Sequence, residues 1–239
     1  MLFFYIRHGD PTYNPDELTP LGKRQAEAVA KRLSLYGLDH IYASTSNRAI
    51  QTAKPTCEIL KKEMTLLDFA NEGHAYNDFS ILNQTGERIW AIEELKTRRL
   101  FASAEMKSLA ENWYTHPDLP ECNWKGGYER IRKESDEFLK TLGYEHITGT
   151  GTYKILKPNN ERVALFAHHN FGIAFLSSML DIPYPTFCTH FNMGHTGVTV
   201  IDFQEEADGY ATPCILTLSN DSHLYREGLP TRYNNWLEF

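Results

Sequence analysis

Leu2-Phe3-Phe4-Tyr5-Ile6-Arg7-His8-Gly9 is the stretch on which the reading of this chain turns. Five apolar or aromatic residues in succession read as a strand buried on both faces, which places it centrally in a parallel sheet. Open α/β sheets bind ligands just beyond the carboxyl ends of such strands. Arg7 and His8 therefore stand where chemistry is usually located, and Gly9 lets the backbone turn there or approach a ligand closely. Taken alone, the tripeptide could equally be a surface turn that happens to carry Arg and His, so the rest of the chain has to decide.

Composition narrows the choices. The 239 residues are long enough to bury a sizeable core, either as one large α/β domain or as one domain with an elaborated insertion. Lys and Arg number 24 against 31 Asp and Glu, a net charge of −7, which argues against a general binder of nucleic acid or anionic membrane. A phosphorylated ligand would need a local cationic pocket. The first strand begins at once, without a basic leader or a separate apolar segment, and no stretch is long enough to span a membrane, so the cytoplasm is the expected location. Cys57, Cys122, Cys188 and Cys214 are widely spaced and form no CxxC pair, and are expected to be buried thiols.

Asp10 to Glu17 reads as a polar, turn-rich loop, and Thr19-Pro20 as the start of a helix, with Thr19 the N-cap and Leu21, Ala26, Val29, Ala30 and Leu33 its apolar face. Gly37 ends it. A short strand over His40–Ala43 leads to Ser44-Thr45-Ser46-Asn47-Arg48, where the next helix begins and runs through Ile59, with a kink expected at Pro55. Arg48 lies at a helix start that already favours an anion, although a solvated first-turn arginine would read the same way. Strand Met64–Leu67 precedes Asp68 and Glu72, each of which could serve as an acid or be merely solvated.

Residues from about 74 to 160 read as a mainly helical, aromatic insertion, with helices near Glu105–His116 and Tyr128–Leu142. Its aromatics could line a pocket or form ordinary core. Its basic clusters, Lys96 to Arg99 and Arg130 to Lys133, read as solvated helix faces. The α/β pattern then resumes with Arg162–Ala167, which delivers His168-His169-Asn170 at its end, a helix through Leu180, a loop over residues 183–197, and late strands at Val198–Phe203 and Ile215–Leu218. The tail from Leu229 to Phe239 carries little information.

Two strands that each end in histidine, with two arginines, make chemical sense as a phosphoryl-transfer site. Neutral imidazole is a competent nucleophile toward phosphorus, arginines clamp phosphate oxygens and favour that neutral form, and a carboxylic acid protonates the leaving alcohol. The set resembles the histidine phosphatase superfamily, also called the phosphoglycerate mutase-like family. The motifs are the strand with Arg7-His8-Gly9, Leu18-Thr19 with Gly22 and Gln25-Ala26, Ser44 through Arg48 to Ala53, and Val163 through His168. The resemblance implies a three-layer α/β/α fold with a mostly parallel central sheet, a single domain over residues 1–239, and the insertion as a cap. It implies His8 as the phosphorylated nucleophile, Arg7, Arg48 and His168 as the phosphate pocket, and Asn14 as a further phosphate ligand. Glu72 is the expected proton donor, with Asp68 and His74 as alternatives. His169 stands where the family often has glycine and is expected in the substrate-binding wall.

The expected activity is phosphomonoester hydrolysis through a phosphohistidine, on a small phosphorylated metabolite, without metal or cofactor. A second copy of the chain is left open as a partner. The absence of the long loop that mutases carry before the first helix favours hydrolysis over phosphoglycerate mutase-type transfer. Two rivals remain: a non-catalytic phosphate-binding relative, and a metallohydrolase built on His168, His169, His190 and His195, for which no ligand motif is present.

Overall fold

The structure, a computed structural model, describes residues 1–231. Six strands form the central sheet in the order Cys214–Asn220, Val198–Asp202, Leu2–Arg7, Arg162–Ala167, His40–Ser44 and Met64–Leu67. The last four are mutually parallel, and Val198–Asp202 runs antiparallel to both of its neighbours. The opening strand thus lies at the heart of the sheet, as its unbroken apolar run required.

Alternation along the strands sorts side chains to two faces. Phe3, Tyr5, Val163 and Leu165 join a core with Ile131, Phe138, Phe171 and Phe175, which belong to helices Trp124–Thr141 and His169–Met179. Phe4, Ile6, Ala164 and Phe166 pack against Val29, Leu33, Ala53 and Cys57 of helices Pro20–Ser34 and Asn47–Leu60. Three layers result, with helices on both faces of a mostly parallel sheet. Thr19 caps the first helix by accepting from Gly22 N–H at 3.0 Å, and Pro55 lies within the second.

Residues 74–160 differ from the expectation in detail. The first helix begins earlier, at Glu72, and two β-hairpins interrupt the segment, over Ser80–Trp90 and Tyr144–Ile155. The helix expected at Glu105–His116 is a short helix, Ala104–Ser108, followed by a 3₁₀ stretch, Ala110–Thr115. Ala110 at φ 46° breaks the two apart. The long helix Trp124–Thr141 belongs to one of the two flanking layers, because Phe138 packs on Phe3 and Tyr42. Trp113, Trp124 and Tyr128 are buried against Phe101 and Tyr184, so these three aromatics form core.

A helix, Tyr184–His190, stands inside the segment expected to be loop. Of the cysteines expected to be buried, Cys57 is, Cys122 and Cys188 are half-buried, and Cys214 is exposed because its strand lies at the sheet edge. Arg130, read as solvated, pairs with Asp78 and Glu134, each at 3.0 Å. The tail expectation from residue 232 onward falls outside the described residues. Among the described residues, no helix is long and apolar enough to cross a membrane, and no group of three or more His, Cys, Asp or Glu side chains is arranged to hold a metal.

Candidate active site

Register brings the two histidines together. Arg7 lies opposite Ala167 in the parallel pair, so His8 and His168 both emerge one residue past their strand ends. His8 N–H continues the ladder to the Ala167 carbonyl at 2.9 Å, and the two rings lie 5.2 Å apart between centroids. Both side chains are buried.

The turn after His8 is set by contact between two glycines. A Cβ on Gly9 would come within 2.7 Å of the Gly22 carbonyl oxygen, and one on Gly22 would overlap that of Asp10. The first helix therefore abuts the turn, and Gly9 N–H donates to Thr52 Oγ1 at 3.0 Å on the second helix. His8 Nδ1–H donates to the Gly9 carbonyl at 2.7 Å, which leaves the Nε2 lone pair available. Burial, then His168 and Arg7, hold the His8 pKa well below the usual histidine range, so the ring is neutral.

His168 is kept neutral in the same way, by burial and then by Arg48 and Arg7. Its Nε2 lies 2.8 Å from Ser44 Oγ and 3.0 Å from Ser46 Oγ. Its Nδ1 is buried without a partner, and it is a donor in the tautomer in which Nε2 accepts from a serine hydroxyl. Four buried side-chain nitrogens among the described residues lack a hydrogen-bond partner. Three of them are His168 Nδ1, Arg7 Nε and Arg48 Nε; the fourth is the Trp113 indole. An unpaired buried donor typically costs about 1–3 kcal/mol, and three in one charged cluster describe a receptor for an anion.

The arginines are fixed by their other nitrogens. Arg48 NH1 donates to Asp16 Oδ1 at 2.7 Å, while Asp16 Oδ2 accepts from Asn47 N–H at 2.8 Å, so the short hairpin over Pro11–Leu18 is bolted to the start of the second helix. Tyr13, 70% exposed on that hairpin, lies 5.4 Å from the Arg48 guanidinium. Arg7 NH1 donates to the Met193 carbonyl at 2.5 Å, and NH2 lies 3.0 Å from His195 Nε2.

Glu72 reaches the cluster from the first turn of its helix. Its two carboxylate oxygens accept from Asn170 N–H at 3.0 Å and Phe171 N–H at 2.9 Å, at the start of the His169–Met179 helix. Burial raises its pKa, against these hydrogen bonds and the attraction of Arg48 and Arg7. The alternative donors lie elsewhere: Asp68, with a side chain 75% exposed, pairs with His74 at 3.0 Å on the surface. His169 hydrogen-bonds Asn192 Oδ1 at 2.7 Å, and its pKa is lowered to about 4 by burial and Arg7. Asn14, expected as a phosphate ligand, is exposed at the hairpin turn and makes no side-chain hydrogen bond among the described residues.

Sequence reasoning did not single out Asp10, Asp16, Tyr13 or the serine pair, and it considered His195 only as a metal ligand. The position of Asp10 directly after Arg7-His8-Gly9 was the available signal. The Gly194-His195-Thr196-Gly197 turn has no periodicity and gave none.

Comparison with known proteins bears on the fold. Residues 3–87 match the sequence model of the histidine phosphatase superfamily (branch 1). The fold is that of the superfamily, and two solved structures illustrate it. A phosphoserine phosphatase from Entamoeba histolytica, in complex with 3-phosphoglyceric acid, is 22% identical, with a TM-score of 0.61 over 93% of this chain and 98% of that one. A mycobacterial glucosyl-3-phosphoglycerate phosphatase is 17% identical, with a TM-score of 0.59 over 91% and 98%. A search of curated proteins returns no match. The chain thus carries the histidine phosphatase fold, with the superfamily's sequence pattern in its N-terminal third.

Proposed function

We propose that the protein is a phosphomonoester hydrolase that works through a phosphohistidine at His8. The observation that carries this reading is the trio of unpartnered buried donors, Arg7 Nε, Arg48 Nε and His168 Nδ1, beside a neutral histidine whose Nε2 is free to attack. The oxygens of a phosphoryl group would complete the hydrogen bonds of such a site.

In the first step His8 Nε2 bonds to phosphorus as the P–O bond to the alcohol breaks, and Glu72 gives its proton to the leaving oxygen. In the second, water attacks phosphorus, the N–P bond breaks, and the Glu72 carboxylate takes the water proton. Arginine contacts and the His168 Nδ1–H hold the equatorial oxygens throughout, which is where most of the rate enhancement of phosphoryl transfer lies. The elevated Glu72 pKa supports the donor role, since it holds a proton further toward neutrality than an ordinary carboxylate.

The substrate class in this reading is a small phosphorylated metabolite. The chain acts as one catalytic unit, and the insertion over about residues 74–160 caps the leaving-group side. Tyr13, over Arg48, is available to the leaving group. Quenching turnover of a labelled phosphomonoester into alkaline denaturant, after exhaustive chelation, should trap a base-stable, acid-labile phosphoenzyme in the parent protein and none in His8→Ala. Label retained on His8→Ala, or activity that is lost on chelation and restored by zinc, would overturn the reading.

A further inference from the structure

His195 has no part in the chemistry above, yet it stands within the cluster. Its ring centroid lies 5.7 Å from that of His8, its Nε2 3.0 Å from Arg7 NH2, and its Nδ1 3.6 Å from Asp10 Oδ1. Arginine nitrogens can only donate, so Nε2 holds the lone pair and the ring proton sits on Nδ1, facing the Asp10 carboxylate. Asp10 is itself anchored. Its Oδ2 accepts from Thr19 Oγ1 at 2.7 Å, and its N–H donates to Gln25 Oε1 at 2.8 Å.

The backbone that presents His195 is equally constrained. Thr196 sits in the left-handed region, at φ 54°, with its N–H directed at the Arg7 and His8 carbonyls, 3.1 and 3.2 Å away. Thr196 Oγ1 donates to the His195 carbonyl at 2.7 Å, so it accepts from His223 Nε2 at 3.0 Å; His223 Nδ1 in turn faces Arg32 NH1 at 3.4 Å. Each donor in this relay meets an acceptor, which fixes the tautomers of both histidines. A run of tertiary contacts therefore ends on one arginine of the proposed phosphate pocket.

We infer that His195 is a positioning residue that aims Arg7 at the transferring phosphoryl group. Met193 carbonyl and His195 Nε2 take one N–H each from the two terminal nitrogens of Arg7, so the guanidinium plane is set before substrate arrives and Nε–H is left for a phosphate oxygen. Preorganisation of this kind acts mainly on the transition state, because the oxygens must meet the fork in one orientation. The inference rests on the phosphatase reading.

The test compares His195→Leu, which removes the acceptor, with His195→Gln, whose Oε1 can replace it, using p-nitrophenyl phosphate for turnover and vanadate as the inhibitor. The leucine variant should lose about 10- to 100-fold in kcat and in vanadate affinity with little change in KM, and glutamine should recover most of both. Combined with Arg7→Lys, the leucine substitution should add almost nothing further, since its effect passes through Arg7. A leucine variant within twofold of the parent, leucine and glutamine equally impaired, or additive losses in the double variant would each overturn the inference. Should the leucine variant fail to fold, ¹⁵N shifts of the His195 ring in the parent protein decide: an Nδ1–H tautomer is expected, and Nε2–H overturns it. No turnover and no vanadate binding by the parent would overturn the phosphatase reading instead, with the tautomer still deciding the His195–Arg7 contact.

Discussion

Two buried histidine clusters in this molecule hold their imidazoles in opposite charge states. At the strand ends, His8 and His168 face Arg7 and Arg48, and burial together with those cations keeps both rings neutral. At the far end of the His169–Met179 helix, His146 lies between two carboxylates, Nδ1 at 2.8 Å from Asp136 Oδ1 and Nε2 at 3.0 Å from Asp181 Oδ2. With acceptors on both sides both nitrogens must donate, so this ring is an imidazolium. Burial opposes the charge there too, but the bonds to Asp136 and Asp181 outweigh it and raise the pKa to about 9. The comparison shows that desolvation sets a common penalty while the sign of the neighbours decides the outcome. One cluster keeps its imidazoles neutral; the other clamps the Tyr144–Ile155 hairpin onto the helices beneath it, with Asp181 Oδ2 also accepting from Gly149 and Gly151 N–H.

The largest effect should come from removing His8, the proposed nucleophile. His8→Ala is expected to lower kcat for any phosphomonoester by more than about 10⁴-fold while Tm stays near the parent value, and a residual rate above a few per cent would remove His8 from the nucleophile role.

Glu72→Gln should cost about 10²-fold with an alkyl phosphate and far less with p-nitrophenyl phosphate, whose leaving group needs little protonation. Equal losses on both substrates, or a larger alkyl-specific loss in Asp68→Asn, would move the acid elsewhere.

At the opposite cluster, His146→Gln should leave kcat unchanged and lower stability by on the order of 2 kcal/mol, after allowance for partial solvent screening. That corresponds to roughly 4–8 °C in Tm for a domain of this size. The sign with pH follows from the raised pKa. The contribution is complete below about pH 6.5, the ordinary histidine value, and is lost as pH rises through about 9. Denaturant titrations of the parent protein from pH 7 to 10 should show that decline, and the variant should not; a flat parent curve would mean that His146 is not charged.

The smallest effect expected is a displacement of the pH–rate profile. The acid limb reports neutral imidazole at His8 and should fall below the usual histidine range; the alkaline limb reports protonated Glu72 and should lie above the usual carboxylate range. The kcat/KM optimum should then be on the acid side of neutrality, and Glu72→Gln should abolish the alkaline limb. An optimum above pH 8 would contradict both assignments.

What the sequence determined by itself was local. An unbroken apolar run specifies a strand covered on both faces, Thr19-Pro20 specifies a helix start, and a strand end in an α/β pattern specifies where Arg7, His8 and His168 must be, because these depend on residues close in the chain. Glu72 was named as the expected donor only through the resemblance, with Asp68 and His74 beside it as alternatives. Contact with Asn170 and Phe171 N–H, 98 and 99 residues away, distinguishes it from Asp68, and no local pattern encodes that separation.

The insertion's boundaries, the placement of its long helix in a flanking layer and the core role of its tryptophans were likewise decided by packing, since an amphipathic helix does not state which surface its apolar stripe will meet. His223 and His146 carried no sequence signal, and His195 entered only as a candidate metal ligand. Their tautomers and charges follow from whether an arginine, a threonine or an aspartate lies about 3 Å from each ring nitrogen, and only the tertiary fold brings those partners together.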